Sequence, residues 1–274
     1  MLVKLKYASG FTLVELAMVL FIVSLLLGGM LVPLSTKLEQ DNRETTNTTL
    51  NDIREALLGY AVINGRLPCP DCPDGATGSC SAVAAANRND GMEDRSGSTP
   101  NRLCQTDIGN LPWVDLQVGE FDAWSRHFTY RVTPAYSRET NTAACSTAAA
   151  DVAFEICTPG DIDIYNSYIA PPYPPSPTVA SNVPVLVVSH GADALEPAQS
   201  NQQIENYERN PVNPSTGANV FSSYTAGNYA PNIFIYTDYR RDTSLSPPTQ
   251  FDDLVMWISP NLLMNRMIIS GRLP

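Results

Sequence analysis

A long apolar run extends from residue 10 to residue 34. Its sequence is GFTLVELAMVLFIVSLLLGGMLVPL, and its one charged side chain is Glu15. Because about 20 consecutive apolar residues suffice for a helix to cross a bilayer, the run predicts a membrane-spanning helix over about residues 11–34. A carboxylate inside such a span costs roughly 2.5–3.5 kcal/mol on insertion scales. Glu15 is therefore a functional candidate that needs a partner.

A second hydrophobic pattern, with helical spacing, follows the apolar run. Its apolar positions are Leu50, Ile53, Leu57, Tyr60 and Ala61. This spacing is typical of a helix that buries one face, and the sequence Asn64-Gly65 is a typical helix end. We therefore predict one long helix over residues 11–64. Its second half should pack against a globular head formed by residues 65–274.

Five later segments have the composition or the alternation of β-strands. They are His127–Thr133, Val152–Cys157, Val183–Ser189, Ile233–Thr237 and Asp252–Ile258. Ser259-Pro260 then predicts the start of a short terminal helix over Asn261–Ile269. Together these elements predict an α+β protein in which a long helix packs on an antiparallel sheet.

All six cysteines follow the predicted span. They are Cys69, Cys72, Cys80, Cys104, Cys145 and Cys157. An even number of cysteines in an exported domain favours disulfides. We expect Cys145 to pair with Cys157 and the other four to pair among themselves, in an order that the sequence does not give. The Cys69-Pro-Asp-Cys72 motif could instead be a redox or zinc site, but a second CxxC and a thioredoxin-like context are missing.

The charged residues limit which partners the chain can have, and they indicate its orientation in the membrane. The 274 residues include 17 basic and 28 acidic side chains, a formal net charge of −11. Nucleic-acid-binding proteins present a basic patch, so we expect no nucleic-acid partner. The acidity is compatible with calcium or with a cationic partner. Lys4 and Lys6 precede the apolar run, which predicts a cytoplasmic N-terminus and an exported head.

Residues suited to catalysis are few. The two histidines are His127 and His190, and the sequence Ser189–Asp193 places a hydroxyl, an imidazole and a carboxylate close together. Neighbouring side chains at a strand end rarely form a catalytic relay, and no GxSxG nucleophile motif is present. We therefore predict that the protein is not an enzyme.

The residues around the start of the apolar run form a recognisable signal. A short basic leader is followed by Gly10-Phe11-Thr12-Leu13-Val14-Glu15 and then by the apolar helix. This arrangement resembles the type III signal of type IV prepilins and type II secretion pseudopilins. The resemblance implies a pilin-like fold, cleavage by prepilin peptidase between Gly10 and Phe11, and N-methylation of Phe11. Residues 1–10 would then be a leader peptide. Gly10 suits the cut because it has no side chain to obstruct a protease.

The resemblance also implies a partner for Glu15. Its carboxylate would pair with the Phe11 amine of a neighbouring subunit, which offsets the cost of both charges and fixes the register of packed helices. The alternative is that Glu15 only extends to the membrane interface.

Two other segments resemble pseudopilin motifs in part. Asp122-Ala123-Trp124-Ser125 keeps the aspartate and the tryptophan of an Asp-Pro-Trp-Gly turn, and Ser189–Asp193 keeps part of a Ser-x-Gly-x-Asp-Gly loop. In some relatives the latter region binds calcium, which prefers six to eight oxygen ligands. The candidate ligands here are Asp193, Glu196, Asp252 and Asp253. A solvated acidic turn is the alternative, and no other cofactor is expected.

The expected function is that of a structural subunit in a type II secretion pseudopilus or a type IV pilus. The expected partners are prepilin peptidase, other pilin or pseudopilin subunits, an inner-membrane assembly platform and, before assembly, membrane lipid. The chain would cross the bacterial inner membrane once, with its head in the periplasm, before it enters a filament. The alternative is a signal-anchored periplasmic binding or sensor protein that does not polymerise.

Overall fold

The structure is a computed structural model that describes residues 12–74, 78–99, 101–139, 152–168, 177–194, 201–207, 232–238, 240–242 and 249–273. The chain forms two compact units, Met1–Glu44 and Thr45–Pro274. The first helix, α1, comprises Leu13–Asn64 and includes residues of both units. The second unit is called the head below.

The described part of the head contains four further helices and eleven strands. The helices are α2 (Trp113–Leu116), α3 (Pro134–Ser137), α4 (Asn201–Asn206) and α5 (Pro260–Ile269). The strands are β1 (Arg95–Ser96), β2 (Leu103–Cys104), β3 (Ile108–Asn110), β4 (Thr129–Val132), β5 (Ile162–Tyr165), β6 (Ala180–Val183), β7 (Val185–Ser189), β8 (Ile233–Ile235), β9 (Arg240–Asp242), β10 (Thr249–Phe251) and β11 (Leu254–Ile258). Two 3₁₀ turns, Gly78–Ala82 and Ala85–Asn87, lie between α1 and β1.

The end of α1 follows the signal in the sequence. Gly65 adopts a left-handed backbone with φ 67°, and its N–H donates to the carbonyl of Ala61 over 2.8 Å. Glycine is the residue best suited to this conformation after a helix. The predicted helix over residues 11–64 therefore corresponds closely to the observed Leu13–Asn64.

A four-stranded antiparallel sheet forms the centre of the head, in the order β11-β7-β4-β3. One face of this sheet packs with the second half of α1 and with α5 in the largest core cluster. From α1 this cluster contains Leu50, Ile53, Leu57, Leu58 and Ala61; from the sheet it contains Tyr130, Val132, Val185, Val187, Met256 and Ile258. The apolar face of α1 thus packs against the face of the sheet that is formed by every second strand residue.

The opposite face of the sheet is also covered. Leu186, Val188 and Val255 alternate with the residues of the first face and pack against a second sheet, ordered β6-β5-β8. Burial on both faces explains why Val185–Ser189 is almost continuously apolar. In the second sheet β5 pairs antiparallel with β6 and parallel with β8. The parallel pair was not predicted from the sequence.

One predicted strand is wrong. Residues 152–157 contain no strand, although Val152, Ala153 and Phe154 are buried in the main core. Ala153 N–H donates to the Gly65 carbonyl over 2.8 Å, and Glu155 N–H donates to Thr158 Oγ1 over 2.9 Å. These isolated hydrogen bonds take the place of a β-ladder, and the apolar side chains of the segment are buried without one. Strand β5, in contrast, was missed.

The other predicted elements are present with shorter bounds. The segments around residues 129–132, 185–189, 233–235 and 254–258 are strands. The Ser259 hydroxyl accepts a hydrogen bond from Leu262 N–H at the start of α5, as the sequence predicted. The long N-terminal helix, the antiparallel sheets and the disulfides are consistent with an α+β pilin-like class.

The packing of α1 on the sheet yields a stability prediction. Leu57 is fully buried, whereas Ile63 on the same helix is 71% exposed. We expect Leu57→Ala to lower the free energy of unfolding by about 2–5 kcal/mol, because it leaves a cavity in the core. Ile63→Ala should change it by no more than about 0.5 kcal/mol. Denaturant unfolding of the full chain in detergent measures both, and equal effects would contradict the packing described here.

Candidate functional site

The N-terminal site is partly described. Gly10 and Phe11 lie outside the described residues, whereas Thr12 and Glu15 lie within them. The N–H and the hydroxyl of Thr12 each donate to Glu15 Oε2 over 2.9 Å, and Glu15 N–H donates to Thr12 Oγ1 over 3.3 Å. This reciprocal arrangement is a capping box. Both hydrogen bonds from Thr12 end on the same carboxylate oxygen.

The role of Thr12 was not predicted, although the sequence contains a signal for it. The spacing Thr-x-x-Glu at residues 12–15, ahead of an apolar run, is the signature of a capping box. Glu15 therefore has an intrachain role at the start of α1, in addition to any role between subunits.

The first turns of α1 expose apolar side chains on every side. Each large apolar residue described between residues 13 and 26 is exposed by 42% or more: Leu13, Val14, Leu16, Met18, Val19, Leu20, Phe21, Ile22, Val23, Leu25 and Leu26. A helix that is apolar all round is normally buried in protein or in lipid. This segment is thus an interaction surface, whichever of the two covers it.

Among the residues that the structure describes, no helix combines the length and the apolarity needed to cross a membrane. The described side chains of α1 exclude residues 27–35. The predicted span over residues 11–34 is not confirmed.

The four cysteines of the segment after α1 pair among themselves, as the sequence predicted. The disulfides are Cys69–Cys104 and Cys72–Cys80. Cys69-Pro-Asp-Cys72 is therefore divided between two disulfides. Cys157 is also disulfide-bonded, whereas its expected partner, Cys145, lies outside the described residues.

A partly buried ion-pair network fixes this disulfide segment to the end of α1. Glu93 accepts two hydrogen bonds from Arg66, at 2.6 and 2.8 Å, and one from Cys69 N–H at 2.9 Å. Arg95 lies 3.2 Å from the same carboxylate. Burial raises the pKa of Glu93, but the hydrogen bonds and charge of Arg66 outweigh it, so the pKa is lowered. The network is a structural clamp, because each charge is paired.

The structure joins the two segments that resemble pseudopilin motifs. Ser189 Oγ, at the end of β7, donates to Asp122 Oδ2 over 2.6 Å, and both residues are buried. The other oxygen of Asp122 accepts from the N–H groups of Trp124 and Arg126, each over 2.9 Å. One carboxylate therefore shapes its own turn and fastens that turn to the central sheet. Nothing in the sequence linked these residues, which lie 67 positions apart.

Asp252 lies beside this junction, at the start of β11. Its Oδ2 accepts the N–H groups of Ala192 at 2.8 Å and Asp193 at 3.4 Å. Gly191 permits this approach with φ 64°, and any side chain there would collide with the Asp252 carboxyl group. Gln203 Nε2 donates to both Asp193 and Asp252, at 2.9 and 3.0 Å.

The surroundings of Asp252 favour its protonated form. Burial, a hydrogen bond with Asp193 and the charge of Asp193 together raise the pKa of Asp252 to about 9. The Asp252 carboxyl group therefore holds its proton at neutral pH.

His190 lies next to the pair without forming a catalytic relay. Its Nε2 lies 2.8 Å from Thr129 Oγ1, and its ring stacks on Tyr207 with centroids 3.6 Å apart. The distance from His190 Nδ1 to Asp253 Oδ1 is 3.8 Å, too long for a hydrogen bond. Asp253 instead accepts a 2.7 Å hydrogen bond from Asn206. The imidazole is a buried packing group.

The predicted calcium ligands are only partly brought together. Asp193 and Asp252 meet through Gln203, Asp253 faces Asn206, and Glu196 lies outside the described residues. Within the described ranges, no group of three or more His, Cys, Asp or Glu side chains is arranged to hold a metal ion.

Comparison with known proteins identifies the N-terminal segment. Residues 5–31 match the family described as the prokaryotic N-terminal methylation motif, the type IV prepilin-like signature. The match confirms the resemblance drawn from Gly10, Phe11 and Glu15, and it supports a type IV pilin-like or pseudopilin precursor. It implies processing by prepilin peptidase and assembly with other pilin subunits. No curated protein and no solved structure is significantly similar to the chain.

The raised pKa of Asp252 predicts a pH dependence of stability. The pKa of Asp252 is raised from about 3.8 to about 9 on folding, so the folded state binds an extra proton between these values. Stability must therefore fall as pH rises through this window, by at most about 1.4 kcal/mol per pH unit. Asp193→Asn supplies an amide donor in place of the proton. We expect this variant to flatten the decline between pH 7 and pH 9, measured from denaturant midpoints.

In the window from pH 7 to pH 9, the titration of a second buried acid, Asp71, contributes little to the change in stability. Burial raises the pKa of Asp71 to about 7, so its contribution has the same sign but lies mainly at lower pH. Asp238→Asn, at an exposed aspartate, is the matched control. Parallel curves for wild type and Asp193→Asn above pH 7 would show that Asp193 does not raise the pKa of Asp252.

Proposed function

We propose that the chain is a structural subunit of a type II secretion pseudopilus or a type IV pilus. The observation that carries the proposal is the methylation motif at residues 5–31, placed at the start of a helix whose described apolar side chains are exposed. Its action would be mechanical. Prepilin peptidase would cut after Gly10, and an inner-membrane platform would transfer the helix from lipid into a filament.

The proposed mechanism has a simple physical basis. The apolar surface of residues 13–26 is unfavourable in water. Membrane lipid would cover it before assembly, and sister helices would cover it afterwards. The transfer exchanges one apolar environment for another, so it avoids the cost of exposing this surface. Lys4 and Lys6 support a cytoplasmic N-terminus with a periplasmic head, and disulfides such as Cys69–Cys104 are stable in that oxidising compartment.

Glu15 is the proposed register contact between subunits. Its Oε2 is occupied by Thr12, and its Oε1 has no partner among the described residues. We propose that this oxygen receives the N-methylated amine of Phe11 from a neighbouring subunit. The capping box holds the carboxylate at the end of the helix, where such an amine would lie.

The head supports a pseudopilin or a low-abundance minor pilin. The hydrogen bond between Ser189 and Asp122 joins the two segments that resemble pseudopilin motifs, which favours this subgroup. The tip subunit of a pseudopilus usually lacks the glutamate, so Glu15 disfavours that identity. We further propose that the head is not an enzyme. The different-class alternative, a signal-anchored periplasmic binding or sensor protein, predicts no filament.

We propose that the head folds without a cofactor. The carboxyl groups of Asp193 and Asp252 are already satisfied by backbone N–H groups and Gln203. Calcium would have to displace the proton of Asp252 and recruit further oxygens. Repeating the Asp193→Asn comparison in calcium chloride distinguishes the cases: a calcium-dependent gain in stability that the variant loses would assign a calcium site.

Processing is predicted at one peptide bond. Mass spectrometry of the mature protein should give a chain that begins at Phe11 and carries one added methyl group. Gly10→Leu should retain the leader, because a branched side chain obstructs the cleavage site. A mature N-terminus at Met1, or a cut after the apolar run, would contradict the filament proposal and favour the signal-anchored alternative.

Assembly is predicted to need the charge of Glu15. Glu15→Gln keeps an acceptor for Thr12 but removes the charge, and Glu15→Ala removes both. We expect both variants to enter the membrane fraction at wild-type levels and to be depleted at least about tenfold from sheared filaments, which corresponds to about 1.4 kcal/mol. Glu39→Gln on the same helix is the control. Normal assembly of Glu15→Gln would show that the residue serves only as a cap.

A further inference from the structure

An aromatic patch lies on the head, beside the turn that contains Asp122. We define the aromatic patch as Trp113, Phe121 and His127 with the adjoining Met92 and Val114. The His127 ring lies between the other two, with centroids 5.1 Å from Trp113 and 4.7 Å from Phe121. Phe121 is 44% exposed, and Met92 and Val114 are each 50% exposed. These side chains belong to none of the described core clusters.

The aromatic patch is held in place from beneath. Gly91 adopts φ 78°, and a side chain there would overlap the ring of Trp113. The carbonyl of Gly91 accepts Val114 N–H over 2.9 Å, and its N–H donates to the buried Asp71 over 2.9 Å. Because these contacts fix the backbone under the rings, the surface is formed before any ligand arrives. Preorganisation of this kind reduces the entropic cost of binding.

Carboxylates surround the aromatic patch. Glu120 Oε1 lies 3.9 Å from His127 Nε2, and the charges of Glu120, Asp74 and Asp122 act on the imidazole. Burial outweighs them and lowers the pKa of His127, so the ring is neutral at pH 7 and presents a π face. Asp115, next to Val114, is a further acid at the other end.

Charge complementarity identifies the kind of partner. Residues 45–274 contain 24 acidic residues, 13 arginines and no lysine, so a second copy of the head would be repelled. Anionic lipid headgroups would be repelled for the same reason. Exposed rings with a rim of carboxylates attract a cation on an alkyl stem, since the ring faces bind the charge and the acids steer it. The apolar neighbours fit the methylene groups of such a side chain.

We propose that the aromatic patch binds a lysine- or arginine-bearing segment of another protein. The cationic group would lie over Phe121 and within reach of Glu120. This proposal does not depend on filament assembly, because it rests on contacts within the head alone.

The test uses a 12-residue peptide with the repeat Arg-Ser-Lys and a charge-reversed peptide with the repeat Glu-Ser-Glu. We expect the basic peptide alone to bind the full chain, with shifts in the His127 and Trp113 side-chain NMR signals. Phe121→Leu, which keeps the apolar volume and removes the ring, should weaken binding about two- to fivefold, the range for one exposed cation–π contact. Glu120→Gln should weaken it by a similar factor.

Two control variants separate this site from general attraction to an acidic protein. Ile156→Ala removes a 60% exposed apolar side chain outside the aromatic patch, and Asp238→Asn removes an exposed charge elsewhere; both should bind as wild type. Equal binding by wild type and Phe121→Leu would overturn the proposal and leave only non-specific charge attraction. Absence of binding to the basic peptide would overturn it as well. Unchanged NMR spectra elsewhere would confirm that each variant is folded.

Discussion

The burial of one face of α1 against the four-stranded sheet is the contact on which the rest of the head depends. Ile53, Leu57 and Ala61 are fully buried there, and α5 packs into the same cluster. Arg272, just after α5, donates to the Val62 carbonyl over 2.7 Å. The first and last helices of the chain are thus fixed to the same surface of the sheet. Helix burial of this kind stabilises the helix more than its intrinsic propensity does.

Around this core, single polar side chains fasten segments that lack regular structure. Glu93 ties the disulfide segment to Arg66, Asp122 ties its turn to Ser189, and Asp252 holds the loop at Gly191. Each of these carboxyl groups is largely or fully withdrawn from water, and each accepts several hydrogen bonds, because an unsatisfied buried carboxylate would be too costly. Asp252 thus has a structural role at a position where the sequence suggested a calcium ligand.

Elements with a regular period could be predicted from the sequence, and elements without one could not. The repeat from Leu50 to Ala61 and the glycine at residue 65 set the extent of α1 because helical periodicity and backbone preference are local properties. Val152–Cys157 was wrongly predicted as a strand because apolar composition reports burial, not ladder formation. β5 was missed, and its parallel pairing with β8 depends on residues about 70 positions away. The capping box of Thr12 and Glu15 was readable but overlooked.

The sequence by itself determined the N-terminal signal, the long helix, the acidity and the local pairing of four cysteines, because each depends on residues close together along the chain. Only the tertiary structure decided the order of the disulfides, the hydrogen bond from Ser189 to Asp122 and the burial that raises the pKa of Asp252. It also brought Trp113, Phe121 and His127 into one surface. These features arise from contacts between distant segments, and such contacts are fixed by how the helix and both sheets pack, not by any pattern within one segment.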